Sequence, residues 1–139
     1  MVRVVLDTVV FLRALLNPRN RSGKFLFEYA GRYRIIFSKE TLVELLEVIR
    51  RPELTRKYKR LAGIDMRRVL DLLAQTEIVE LREIPAIVRD PSDDIFVATA
   101  HAGHADYIVS EDKDLLSLGE STGIPVINTA AFIHALENL

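Results

Sequence analysis

Residues 1–11 read MVRVVLDTVVF, and the fold turns on how the aspartate in the middle is understood. Met1, Val2, Val4, Val5 and Leu6 are all apolar, and the run is rich in β-branched residues. That is the pattern of a short strand buried on both faces of a parallel sheet. It stops at Asp7, which has no basic neighbour directly after it, and helical spacing of apolar residues begins at once over Thr8 to Leu16. Asp7 either caps that helix or belongs to a site assembled from distant parts of the chain. Which of these holds depends on whether other acids reach the same edge of the same sheet.

The rest of the chain repeats the alternation of strand and helix. Helical patterns are expected over Ser22–Ala30 (ended by Gly31), Lys39–Arg51 (capped by Ser38 and broken by Pro52) and Leu54–Leu61. Others are expected from Asp65 to about Gln75, from Asp93 or Asp94 to Ala102 (ended by Gly103), near Leu115, and after a Thr129 cap. Strand patterns are expected at Arg34–Phe37, Glu77–Leu81, Asp106–Ser110 and Pro125–Ile127, with a loop over Ile84–Pro91. Strands alternating with helices call for a parallel sheet covered on both faces, so residues 1–139 are expected to form a single α/β domain.

Composition narrows the classes. The chain has 139 residues, 49% hydrophobic and 28% charged, with a formal net charge of −1. This is a globular composition, and it argues neither for nor against nucleic acid as a partner. The absence of cysteine excludes disulfides and thiolate metal sites. No apolar run approaches the roughly 20 residues of a membrane span, and the N-terminus lacks the pattern of a secretory signal. No membrane partner and a cytoplasmic location are therefore the default expectations. GKFLFEYAG is not a phosphate-binding loop, and no G-x-G-x-x-G follows a strand, which speaks against nucleotide-binding folds.

The acids fall in a pattern. In open parallel sheets ligands bind beyond the C-terminal ends of the strands. Asp7 ends the first strand, and Glu111 and Asp112 follow Ser110 at the end of YIVS. Asp93 and Asp94 open a helix, and Glu44 lies about one and a half turns into the helix after the second strand. Two carboxylates 4 Å apart repel by about 4 kcal/mol at an effective dielectric of 20. Such a cluster needs protons or a cation. All-oxygen donors suit Mg²⁺ or Mn²⁺, ions that commonly work on phosphate esters by activating water and stabilising the leaving oxygen. Each acid also has an ordinary explanation: Asp7, Asp93 and Asp94 as helix caps, Glu44 as a solvated helix residue, Asp112 and Asp114 as turn residues.

Four segments carry a family resemblance: VVLDTVVFLRALL, SKETLVELLEVIRRPEL, DPSDDIFVATAHAGHADYIVSEDKDLLSL and IPVINTAAFIHAL. In this order, and over nearly the whole chain, they resemble PIN domains, most closely the bacterial and archaeal toxin components of toxin–antitoxin pairs. The resemblance implies a three-layer α/β/α sandwich around a central parallel sheet of four or five strands. It also implies Mg²⁺ or Mn²⁺ held by an acidic quartet, ribonuclease activity on single-stranded RNA, a homodimer, and an antitoxin protein as partner. Matched by motif position, the catalytic quartet is Asp7, Glu44, Asp93 and Asp112, with Asp7, Asp93 and Asp112 as metal ligands. Asp94 is the alternate for Asp93, and Asp114 is an outer carboxylate. Thr8 and Ser110 match the hydroxyl residues beside the first and fourth acids. The family usually has Asn two positions after the first Asp, and here that position is Val9.

Outside the acids, IRRPELTRKYKR gathers Arg50, Arg51, Arg56, Lys57, Lys59 and Arg60 around Tyr58. It is either an RNA-binding segment or a solvated helix face. His101 and His104 have a metal-compatible spacing without a third ligand, so surface or capping roles are expected. Phe25, Phe27 and Tyr29 fit a core or a subunit interface. An aspartyl-phosphate phosphatase with Asp7 as nucleophile is a rival reading that wants a second Asp where Val9 stands. A degenerate PIN module that binds without cutting is another.

Overall fold

Strand β1 (Val2–Leu6) is the centre of the molecule. It pairs in parallel with β2 (Tyr33–Ser38) on one side, Val2 opposite Tyr33 and Val4 opposite Ile35. On the other side it pairs in parallel with β4 (Tyr107–Val109), Val4 opposite Tyr107 and Leu6 opposite Val109. β3 (Glu77–Val79) adds outside β2 and β5 (Val126–Ile127) outside β4, giving a five-stranded, all-parallel sheet in the order β3-β2-β1-β4-β5. The structure, a computed structural model, describes residues 1–17, 19, 21–57, 66–82 and 91–139.

Alternate residues of β1 feed two cores, because successive side chains of a strand point to opposite faces. Val4 and Leu6 join one cluster with Phe11, Leu12, Phe25, Leu45, Phe132 and Leu136. These come from α1 (Thr8–Leu16), α2 (Arg21–Phe27), α3 (Lys39–Arg50) and, further along, α8 (Thr129–Glu137). Val5 joins the opposite cluster with Ile36, Phe96, Val97, Ile108 and Leu115, built on α6 (Pro91–Ala102) and α7 (Lys113–Leu116). Each such side chain contributes about 1.5–3 kcal/mol by leaving water. Between the two layers lies the sheet, as the alternation of patterns requires.

Helix boundaries correct several expectations. Pro52 does more than end α3. It opens α4 (Pro52–Lys57), since a proline at the first helical position loses only a hydrogen bond that was unmade anyway. The helix expected over Ser22–Ala30 ends at Phe27, and a separate 3₁₀ turn spans Ala30–Arg32. α5 covers Met66–Ala74, and β3 stops at Val79 instead of Leu81. α6 starts at Pro91, so Asp93 and Asp94 are inside the helix and do not cap it. The cap of α8 is Asn128, whose Oδ1 accepts the Ala131 N–H at 2.8 Å; Thr129 is the first helical residue. The expectations for Tyr58 to Asp65 and most of the Ile84–Pro91 loop lie outside the described residues.

The end of α6 shows how one residue type can be needed for an unexpected reason. The N–H of Ala105 donates to the carbonyl of Ala100 at 2.9 Å and that of His104 to His101 at 3.2 Å. This double closure puts the left-handed residue at His104 (φ 50°), not at Gly103. Gly103 is required by packing instead: a Cβ there would stand 2.5 Å from Cγ2 of Ile36 on β2.

Candidate active site

The strand order reverses direction between β1 and β4, and such a switch point opens a crevice at the C-terminal ends of the strands. Asp7 and Ser110 follow directly on these two strands. The Asp7 N–H donates to the carbonyl of Val109 at 2.9 Å, which sets the two residues side by side. The alternatives raised for Asp7 prove compatible. Oδ1 accepts the Val9 N–H at 3.1 Å and caps α1, while Oδ2 accepts the Ser110 hydroxyl at 2.7 Å. The Ser110 oxygen, fully buried, accepts the Asp112 N–H at 2.9 Å. Asp112 caps α7 and takes the Asp114 N–H on Oδ1 at 2.8 Å. One serine hydroxyl thus links two candidate acids more than a hundred positions apart.

Glu44 reaches the same neighbourhood through the residue after Asp7. The hydroxyl of Thr8, itself buried, donates to Glu44 Oε2 at 3.1 Å. Asp94 is buried on α6 at 5% exposure, whereas Asp112 and Asp114 are exposed at the rim. The side chain of Asp93 lies outside the described residues. Asp7, Ser110 and Asp112 are therefore brought together, with Thr8 and Glu44 beside them. Among the described residues no three acidic or histidine side chains stand close enough to hold an ion between them.

Burial raises the Asp7 carboxyl above its ordinary value of 3.8. The hydrogen bonds from Ser110 and Val9 oppose that shift, the charge of Asp112 adds to it, and the charge of Arg13 on α1 opposes it. The donor set fits a hard divalent cation. Asp7 and Asp112 repel each other, both offer only oxygen, and Oδ2 of Asp112 takes no hydrogen bond from a described residue. Mg²⁺ is characteristically held by one or two carboxylates with water and phosphate oxygens completing its shell. Glu40, four residues before Glu44 and so on the same face of α3, was not among the candidates. Its Oε2 is buried with no hydrogen-bond partner among the described residues. An acid one turn from a candidate acid was the available signal.

The basic segment begins away from the acids. Arg50 closes α3 about 9 Å along the helix axis from Glu44. Arg50, Arg51 and Arg56 are exposed, while Lys59, Arg60 and the side chain of Lys57 lie outside the described residues. His101 Nε2 is 2.6 Å from the carbonyl of Thr122, and His104 ends α6, so both serve the surface and helix end. Phe25 is fully buried in the first core, and Phe27 and Tyr29 pack against it. No described helix is long and apolar enough to cross a membrane.

Comparison with known proteins bears on the fold and the family. The chain is 30% identical over 135 residues to the uncharacterized protein MJ1680 of Methanocaldococcus jannaschii, covering 91% of this chain and 81% of that one. Its fold is similar to the crystal structure of PAE2754 from Pyrobaculum aerophilum, with a TM-score of 0.61, 15% identity, and 99% and 91% of the two chains covered. It is also similar to VapBC2 from Rickettsia felis bound to a DNA fragment from their promoter, with a TM-score of 0.60, 15% identity, and 91% and 98% covered. A family model described as PIN domain matches residues 3–114, and the chain belongs to that family.

Proposed function

We propose that this PIN domain is a metal-dependent endoribonuclease that hydrolyses phosphodiester bonds of single-stranded RNA, acting as the toxin of a toxin–antitoxin pair. The observation that carries the reading is the Asp7–Ser110–Asp112 linkage across the ends of β1 and β4. Two mutually repelling carboxylates are held in place there by hydrogen bonds, at the edge where open parallel sheets bind ligands. Asp7, Asp93 and Asp112 are the residues that would hold Mg²⁺ or Mn²⁺. Such an ion supplies neutralising charge for a phosphodiester in transition and lowers the pKa of water. Ser110 orients Asp7, and Asp112 is fixed by its own capping role. Glu44, which accepts the Thr8 hydroxyl, would orient an attacking water or take its proton. Asp94 and Asp114 support the set from α6 and from the rim.

In this reading Arg50, Arg51, Arg56, Lys57, Lys59 and Arg60 collect RNA phosphates. Reversing the charge of Arg50, Arg51 and Arg56 together is expected to weaken RNA binding and flatten its salt dependence by roughly 0.7 log units per lost phosphate contact. An unchanged salt slope would remove the segment from the binding surface. The homodimer and the antitoxin partner follow from the toxin branch that the sequence resembles.

One feature favours a weaker variant of the same reading. Val9 gives Asp7 only its backbone N–H, while its side chain is 47% exposed and offers no amide to a carboxylate or to water. Incubation with single-stranded RNA and with p-nitrophenyl phosphate, each with EDTA, Mg²⁺ or Mn²⁺, separates the options. Cation-dependent cleavage of RNA alone supports the nuclease. Hydrolysis of the monoester alone would mean a phosphatase. RNA binding without cleavage would mean a degenerate module.

A further inference from the structure

α6 meets β2 at two points that act as a ruler. Gly103 rests on Ile36, and one helical turn earlier Thr99 rests on Ser38. Four helical residues advance about 6 Å and two strand residues about 6.6 Å, so the contacts keep one antiparallel register between helix and strand. The upper contact is polar and buried: Ser38 and Thr99 are fully buried and Thr41 is 2% exposed.

Thr99 Oγ1 is 2.8 Å from Ser38 Oγ and 2.6 Å from the carbonyl of Ile95. Thr99 is the donor to both acceptors, its single proton shared between Ser38 Oγ and that carbonyl. Ser38 Oγ also accepts the Thr41 N–H at 3.1 Å, and Thr41 Oγ1 accepts the Ser38 N–H at 2.9 Å. This capping box starts α3, the helix of Glu44. The hydroxyl chain thus runs from the start of α3 to the carbonyl next after Asp94 in α6. Buried networks whose members are all satisfied hold their elements rigidly.

We propose that Thr99 is a positioning residue that, through Ser38, fixes how far α6 projects beyond the sheet edge and so sets the placement of Asp94 on α6 relative to Glu44 on α3. The inference rests on the reading of these acids as a cation site. Asp94 lies five residues before Thr99, about 7.5 Å along the axis. A slip of α6 by a fraction of a turn at Thr99 is therefore carried to the acids in full.

The test compares wild type with Thr99→Val, which keeps shape and loses the hydroxyl, and Thr99→Ser, which keeps the hydroxyl. Two readouts are taken without RNA: half-saturation by Mn²⁺ alone, followed by electron paramagnetic resonance, and amide exchange in the first turns of α3 and α6. The valine variant is expected to raise the Mn²⁺ half-saturation concentration about tenfold. It should also speed exchange in both turns together, and serine should restore both readouts to within about twofold. A valine protein that melts lower yet keeps wild-type half-saturation and exchange overturns the proposal and leaves Thr99 a packing residue. Should wild type take up no Mn²⁺, the cation reading itself fails. The exchange data then still decide on Thr99, joint acceleration supporting the coupling of the helices and an unchanged pattern refuting it. If the valine protein does not fold, Thr99→Ala takes its place in the same comparison.

Discussion

The two ends of β1 carry opposite charges and treat them in opposite ways. At the N-terminal end Arg3 is fully engaged. Its N–H donates to Asp106 Oδ2 at 2.8 Å, its Nε to the carbonyl of Gly103 at 2.8 Å, and its Nη2 forms an ion pair with Glu77 on β3. One guanidinium ties the end of α6 and the outer strand to the sheet, and the cation sits where a helix C-terminus prefers one. At the C-terminal end Asp7 faces Asp112, a charge of its own sign, and what holds it is a serine hydroxyl and a backbone N–H. The difference separates structure from function. Charges that are matched within the fold stabilise it. Charges gathered beside like charges cost stability, and in the proposed function they are the ones a cation from outside would neutralise.

Breaking the acidic end should have the largest effect on activity. Asp7→Asn is expected to lower RNA cleavage by about 100-fold or more while the melting temperature holds or rises, because Asn caps a helix as well as Asp does and one repelling charge is gone. Wild-type cleavage by this variant would defeat the assignment. The same pair tests the electrostatics. The native state holds the Asp7 proton more tightly than the unfolded chain does, because the folded pKa is raised above 3.8. Asp7 therefore stabilises the metal-free fold below pH 3.8, and that contribution is lost as pH rises through the raised value. The stability advantage of Asp7→Asn should accordingly be present at neutral pH and disappear on acidification towards 3.8, as read by urea midpoints along a pH series.

Breaking the structural end should cost stability, and it should reach the chemistry only where the change shifts α6 along β2. Gly103→Ala drives a Cβ into Ile36, which is 1% exposed and has no room to move, at about 1–3 kcal/mol by urea denaturation. Arg3→Met removes the ion pair and the bond to the Gly103 carbonyl. With both partners of the pair partly exposed, the expected loss is about 1 kcal/mol, with the Mn²⁺ requirement for cleavage unchanged. His104→Gly is the smallest change and has the opposite sign. Relieving a left-handed non-glycine residue should stabilise the protein by about 0.5–1 kcal/mol, again by urea midpoint. A large effect of Arg3→Met on cleavage, at unchanged stability, would break the separation between the two ends.

How far the sequence could be read depended on whether a signal was local. Leu6 ending at Asp7 was legible as a strand passing into a helix, because the change from strand to helix periodicity lies within eleven residues. Ser38 was legible as a cap because its partner, Thr41, is three residues away. Asp93 and Asp94 looked like caps because their type was read first, while the local signal, a proline at the first helical position, was Pro91. The need for Gly103 looked like a left-handed turn because Ile36, the residue that excludes a side chain there, is far off in the chain.

By itself the sequence determined the alternation of strands and helices, the all-oxygen character of the acids, and the place of Asp7 and Asp112 just past strand ends, since apolar spacing and side-chain chemistry are properties of neighbouring residues. Tertiary structure alone decided the order β3-β2-β1-β4-β5. That order puts β4 against β1, Ser110 between Asp7 and Asp112, and Thr8 against Glu44. Backbone hydrogen bonds between strands are the same whatever the side chains. The choice of neighbour therefore falls to the packing of helices on both faces, which no short stretch of chain encodes.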